Sequence, residues 1–94
     1  MDLESFDWDE ANKSKNFIKH HVKTNECEEV FFDPRKVMFN DQLHSAKESR
    51  FIILGKTKKK RLLFIVFTIR NKKIRIISAR DTDMKERRLY EKND

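Results

Sequence analysis

Between residues 36 and 80 the apolar positions fall into short runs divided by polar breaks, and each run has the length of a strand. KVMFN (36–40) is the first. RFIILGK (50–56) is apolar at successive positions, as in a strand buried on both faces and therefore central. RLLFIVFTIR (61–70) and KKIRIISAR (72–80) follow, and the polar pair Asn71–Lys72 between them reads as a hairpin turn. Pairing Arg70 with Lys73 sets the register, and period-2 alternation assigns the faces. One face collects Leu63, Ile65, Phe67 and Ile69 with Ile74, Ile76, Ser78 and Arg80, and reads as core. The other collects Phe64, Val66 and Thr68 with Arg75, Ile77 and Ala79. That second face sets Arg75 opposite Thr68 on an otherwise apolar surface, where a lone guanidinium is costly unless used or paired.

Helical spacing brackets these strands. Residues 1–5 fray or lead into a short edge segment. Asp7 or Asp9 can cap a helix over about 9–20, with Trp8 beside the cap as an anchor against the sheet or, alternatively, a base-stacking ring. Its apolar stripe (Ala11, Phe17, Ile18) is thin, so packing must hold it. A second helix begins after Thr24, as the proposed cap, turns Cys27, Val30 and Phe31 inward, and ends at Asp33–Pro34. Residues 41–49 form a polar loop holding His44, and TKKKR (57–61) is a basic hairpin tip. Asp83 and Glu86 have capping-box spacing and open a helix over about 84–92. The expected architecture is α+β: two N-terminal helices, a four-stranded antiparallel meander and a C-terminal helix, with residues 1–94 as one domain.

Composition narrows the class. Charged residues make up 40% of the 94, which raises disorder, but eight Phe, one Trp and the concentration of Ile, Leu and Val in 51–77 point to a folded core. The formal net charge is +6 and unevenly spread: residues 1–33 carry four Lys/Arg against nine Asp/Glu, residues 34–94 eighteen against seven. An acidic front on a basic sheet suits one surface to phosphate, although surplus Lys also serves solubility. A single Cys (Cys27) removes any internal disulfide framework and four-Cys zinc site, and reads as a buried small side chain. One Gly (Gly55) removes phosphate-cradling Gly-rich loops. The chain shows no apolar run long enough for a signal peptide or membrane span, so a cytoplasmic location without membrane contact is expected.

What chemistry suits a basic sheet with scattered His and Arg? His20–His21 and His44 have no metal-ligand spacing, and no Ser or Cys sits in a nucleophile-elbow context, so neither metal nor cofactor is expected. RNA brings its own nucleophile, the 2′-OH, and its cleavage needs a base, cations for the phosphorane and an acid for the leaving oxygen. Arg75 and Arg80 suit the cationic role because a guanidinium forks onto phosphate and stays charged. Five residues apart, they share a face only if a bulge intervenes. His20 is the titrating candidate, with helix C-terminal capping as its structural alternative. Glu86 can act as base, although the capping box already employs it. Arg87 and Arg88 sit on a helix with little to bury, and Tyr90 can donate a proton, stack a base or pack that helix.

FDWDEANKSKNFIKHHV near the start, then EVFFDP, RFIILGKTKKKRLLFIVFT and IRIISARDTDMKERRLYE, resemble the BrnT family of toxins. The family's stretches run W-(D/E) before a helix ending N-x-x-K-H-(G), then (V/F)F-x-DP, R-x-x-x-(I/L)G and IRIISAR-x5-ER-x-x-YE. The likeness spans about residues 6–92 and its last block is the most specific. It implies a type II toxin–antitoxin ribonuclease of RelE-like fold that arrests translation. It also implies a BrnA-type antitoxin, held as a heterotetramer around an antitoxin dimer. Trp8, Lys19, His20, Arg50, Arg75, Arg80, Glu86, Arg87 and Tyr90 match pattern positions; Lys19, Arg50, Arg87, Arg88 and Tyr90 are the expected RNA-binding group. His21 stands where the family has Gly, a position that often needs φ > 0. The readings from other classes are a non-catalytic nucleic-acid-binding module and a protein-interaction subunit.

Overall fold

The computed structural model describes residues 5–8, 10, 19–42 and 48–92. Their elements are β1 (Ser5–Phe6), α1 (Thr24–Val30), β2 (Val37–Asn40), β3 (Phe51–Lys56), β4 (Leu62–Arg70), β5 (Lys73–Asp81) and α2 (Met84–Lys92). The strands form one sheet in the order β1-β5-β4-β3-β2. β2 to β5 pair antiparallel, but β1 joins β5 in parallel, with Phe6 opposite Ile74. The expected RelE-like architecture, with two N-terminal helices and a four-stranded antiparallel meander, is therefore not the one formed. Among the described residues there is a five-stranded mixed sheet with one helix before it is complete and one after. A two-residue strand carries no alternation that a sequence reading can detect. It is placed by the unpaired edge of β5, where Ile74 O accepts from Asp7 N–H at 2.8 Å. The expected helix over 9–20 falls mostly outside the described residues, although Glu10, Lys19 and His20 are helical. His44 and its neighbours 43–47 also lie outside them.

The hairpin forms in the expected register, Arg70 against Lys73 and Thr68 against Arg75. Asn71 and Lys72 both take positive φ, 51° and 62°, the twist that a two-residue turn needs to match its strands. Beyond Phe67–Ile76 the register slips: Val66 faces Ser78, leaving Ile77 as the extra residue of a bulge. The slip inverts the expected faces for the rest of β5. Ala79 enters the core opposite Ile65, while Ser78 and Arg80 leave the core face and join Arg75.

Each face has its own cluster. On the first, Ile53, Leu63, Ile65, Phe67, Ile74, Ile76 and Ala79 pack against Val22, Cys27 and Val30 from α1 and its approach. Phe67 is fully buried, with Phe31 edge-on at 5.0 Å and Phe51 stacked at 5.4 Å. Trp8 anchors this side by donating Nε1–H to Glu28 Oε2 at 2.8 Å. Burial pushes the Cys27 thiol up to about 12, with Glu26 and Glu28 adding to the effect, so it packs as an inert apolar group. Gly55 is required where α1 crosses β3: a Cβ there would lie 2.7 Å from Val30 Cγ1. On the second face Leu54, Leu62 and Phe64 pack under Tyr90 of α2.

α1 starts one residue earlier than expected. Lys23 is its cap, and Glu26 accepts from the Lys23 N–H at 3.0 Å, which holds the first turn without Thr24. Asp83 and Glu86 form the expected capping box at α2, each accepting from the other's N–H at 2.8–2.9 Å.

Candidate functional site

The bulge decides which cations share a surface. Thr68 and Arg75 face each other on the second face, and after the slip Arg80 stands there too, opposite Phe64. Extending the β3–β4 register by one residue from Phe51–Phe67 sets Arg50 opposite Thr68 on the same side. Arg50 and Arg75 thus flank Thr68 across three strands. Arg80 lies farther along β5, beyond the half-buried Val66 and Ser78. Thr68 is buried, and its hydroxyl donates to Ser49 O at 2.7 Å, tying the segment before β3 to this face.

That tie brings in Glu48, which the sequence reading missed. Its carboxylate accepts from Arg70 Nε at 3.0 Å and Nη2 at 3.1 Å, and the charges of Arg50 and Arg75 also act on it. The Arg70 hydrogen bonds hold Glu48 below the usual carboxylate range, with the three guanidinium charges adding to them. A carboxylate engaged by a guanidinium in this way organises cations. Arg75 also pairs with Asp7 of the β1 edge, at 3.6 Å. No pattern marked Glu48 in the sequence beyond its nearness to Arg50, and Asp7 is read there only as a candidate helix cap.

Arg80 is held on three sides. Nη1 donates to Glu86 Oε1 at 2.8 Å and to Asp81 O at 3.1 Å, and Nη2 donates to Glu86 Oε2 at 2.8 Å. The guanidinium lies over the Phe64 ring at 4.0 Å. Glu86 is the more deeply placed partner, with 13% of its side chain exposed against 37% for Arg80. The hydrogen bonds to Glu86 raise the Arg80 pKa further, against the opposing effect of burial. These bonds use the end of the fork and leave the Nε–H and second Nη2–H, its side, for another acceptor.

The other expected site residues are dispersed. His20 ends its helical segment half-buried, and its carbonyl accepts from Arg61 Nη2 at 3.1 Å. Arg61 also donates to His21 O at 2.8 Å and Glu26 at 3.2 Å, and forks onto Asp81 at 2.8 and 3.0 Å. The Arg61 hydrogen bonds hold Asp81 low, and the His20 charge contributes. Asp81 follows Arg80 directly and so points to the opposite side of the strand. His20 therefore flanks the end of β5 from the other face and does not join Arg80 and Glu86. Arg61 was read only as part of a basic tip; its place at the start of β4, facing an acid-rich α1, was the available signal. Lys19 is exposed, as are Arg87 and Arg88 on α2.

Tyr90 is buried, and its hydroxyl donates to Asp33 Oδ2 at 2.6 Å. The same carboxylate accepts from the Lys56 and Arg35 N–H groups at 2.7 and 2.9 Å. Burial alone would raise Asp33, but these three bonds outweigh it and leave the carboxyl below its usual range. Tyr90 packs and pins α2. Asp33, expected only to end a helix, is the other half of that pin.

A family model described as "Ribonuclease toxin, BrnT, of type II toxin-antitoxin system" matches residues 8–86. The chain belongs to the BrnT family. A BrnT protein is a ribonuclease toxin of a type II system, so an antitoxin partner follows from membership. The crystal structure of the Brucella abortus ribonuclease toxin BrnT matches with a TM-score of 0.65 and 18% identity, over 87% of this chain and 100% of that one. At that identity the likeness speaks for the shared BrnT fold. No curated protein matches the chain. Among the described residues no helix is long and apolar enough to cross a membrane.

Proposed function

We propose that this BrnT chain is an endoribonuclease that cleaves RNA by attack of its own 2′-OH, needs no metal ion, and thereby arrests translation. The observation that supports this most is the bulge at Ile77, which turns Arg80 to the sheet face that carries Arg50 and Arg75. Arg50 and Arg75 bind the phosphate, and Arg80 offers the side of its fork to the developing charge. Glu86 holds Arg80 over Phe64, and Glu48, bound to Arg70, adds a negative charge beside Arg50 and Arg75. Lys19, Arg87 and Arg88 extend the contact with the backbone; His20, the proton-transfer candidate of the sequence, flanks the strand end from the other face and takes no part in holding the phosphate. A BrnA-type antitoxin covers this face with an acidic or amphipathic segment, and an antitoxin dimer carries two toxin chains in a heterotetramer. A cytoplasmic site of action fits an RNA substrate.

The test is cleavage of a single-stranded RNA oligonucleotide in the presence of a chelator. The proposal expects products ending in 2′,3′-cyclic phosphate and no cleavage of the 2′-O-methyl analogue. Cleavage of the analogue, or activity that vanishes with chelator and returns with a divalent cation, contradicts the mechanism. Binding without any cleavage leaves a nucleic-acid-binding module instead.

A further inference from the structure

Phe32 follows the end of α1 with 80% of its surface exposed, the largest exposure among the described large apolar residues. It stands at the unspecified position of the (V/F)F-x-DP pattern, between the buried aromatic layer and the Asp33 pin. Among the described residues none packs over its ring, so burial does not account for it.

The ring borders a cavity of about 860 Å³ whose rim carries Arg35, Lys56, Lys58 and Lys60, with Pro34 beside it. Three acids also border the cavity and keep their charge, each turned to neutral donors. Glu28 accepts from Trp8, Glu29 accepts from the Lys58 N–H at 3.0 Å, and Asp33 holds three hydrogen bonds. The lining carries four cations against three acids, and Lys56 lies over the Tyr90 ring, so Lys58 and Lys60 on the tip are the cations set beside the exposed ring. A cationic tip and an exposed ring are components of a single-strand binding groove: charge for the backbone, a ring for an unstacked base. The floor is firm, since Asp33 is fixed to Tyr90 and to the backbone of β3. Thr57 N–H bonds Arg61 O at 2.9 Å, which fixes the tip that carries Lys58 and Lys60.

We propose that this groove is a second RNA subsite, in which Phe32 stacks an unpaired base of a nucleotide flanking the cleaved bond while Lys58 and Lys60 hold its phosphate. The proposal rests on the ribonuclease reading for its substrate, but the groove lies at the β3–β4 tip and shares no residue with the Arg50–Arg75–Arg80 face. Stacking tolerates any base, so the subsite contributes affinity for single strands more than sequence preference.

The experiment is fluorescence anisotropy with a labelled single-stranded 2′-O-methyl RNA, which cannot react by 2′-OH attack, using the full chain and its Phe32→Ala, Phe32→Trp and Lys58→Ala/Lys60→Ala variants. Phe32→Ala should raise Kd about tenfold and Phe32→Trp should restore it. The double Lys variant should flatten the dependence of log Kd on log salt by roughly 1.4, two phosphates' worth. An RNA duplex, whose bases are already stacked, should bind all Phe32 variants alike. Each variant's melting temperature, expected within about 2 °C of the parent for surface changes, separates binding from folding. Phe32→Ala binding single strands as tightly as the parent overturns the proposal. So does loss of antitoxin binding in Phe32→Ala with RNA binding intact, which would make the groove a protein site. Cleavage of unmodified RNA is followed in parallel: Phe32-dependent binding by a parent that never cleaves leaves the groove standing and removes the ribonuclease reading.

Discussion

The carboxylate of Glu86 meets the guanidinium of Arg80 end-on, Nη1 to Oε1 and Nη2 to Oε2, both at 2.8 Å. The same Glu86 accepts from the Asp83 N–H, so one side chain caps α2 and fixes the cation. In the proposed mechanism this one guanidinium has two uses, pinning the helix by its end and serving a phosphate by its side.

Substitution separates the two uses. Arg80→Ala is expected to lower RNA cleavage by roughly 10²–10³, the usual loss for one transition-state donor, and to cost about 1 kcal/mol of stability for a partly exposed pair. Glu86→Gln keeps an acceptor for the cap but loses its charge. Its stability should fall similarly while the rate falls less than about tenfold. A stable, inactive Glu86→Gln would instead make Glu86 a proton-transfer group. The two rates beside the two melting curves decide this.

Tyr90→Phe tests the other attachment of α2. It removes a donor to an ionised acceptor and leaves Asp33 with its two backbone partners. The expected cost is about 2 kcal/mol, or roughly 10 °C in a domain of this size. A melting temperature unchanged from the parent would mean that packing over Leu54 and Leu62 holds the helix alone.

Acid should weaken the fold through Asp33 and Asp81, whose folded pKa values lie below 3.8. A depressed carboxyl stabilises the folded state above its unfolded pKa and loses that contribution as pH falls through the folded value. Stability should therefore be level from pH 7 to about 5 and decline below about 4. Asp33→Asn should be less stable at pH 7 and show a shallower decline. An acid limb as steep in Asp33→Asn as in the parent would take Asp33 out of that account.

Four non-glycine residues among those described occupy positive φ, and His21 at 54° and Lys72 at 62° are the two where glycine is the direct test. Lys72→Gly completes an Asn-Gly turn, and His21→Gly restores the residue of the family pattern. Each should gain about 0.5 kcal/mol by urea denaturation, the relief of strain exceeding the added freedom of the unfolded chain. A loss at His21 would show that its imidazole contributes more than the strain it imposes.

Much of this was legible in the chain. Asn71–Lys72 fixed the hairpin register because turn chemistry is local, and Asp83 with Glu86 announced α2 by spacing alone. The positive φ at His21 was foreseen from the glycine it replaces. The bulge was not legible, because one extra residue at Ile77 leaves apolar alternation intact up to that point and changes only which face Ser78, Ala79 and Arg80 take. Sequence period placed Arg80 in the core and apart from Arg75, and the site depends on the reverse. Glu48, Asp33 and Arg61 act through partners 20 or more residues away, which no local pattern records.

The central claim is that the guanidiniums sharing the bulged face hold the scissile phosphate, and Arg75 tests it most directly. Its ion pair with Asp7 is long, at 3.6 Å, and partly exposed, so that pair itself contributes little to the fold. The measurement is the single-turnover rate of 2′,3′-cyclic phosphate formation by Arg75→Ala, with its melting temperature as control. A rate reduced by roughly 10²–10³ in a protein that melts with the parent is the predicted result. An equally stable Arg75→Ala that cleaves at the parent rate would contradict the account.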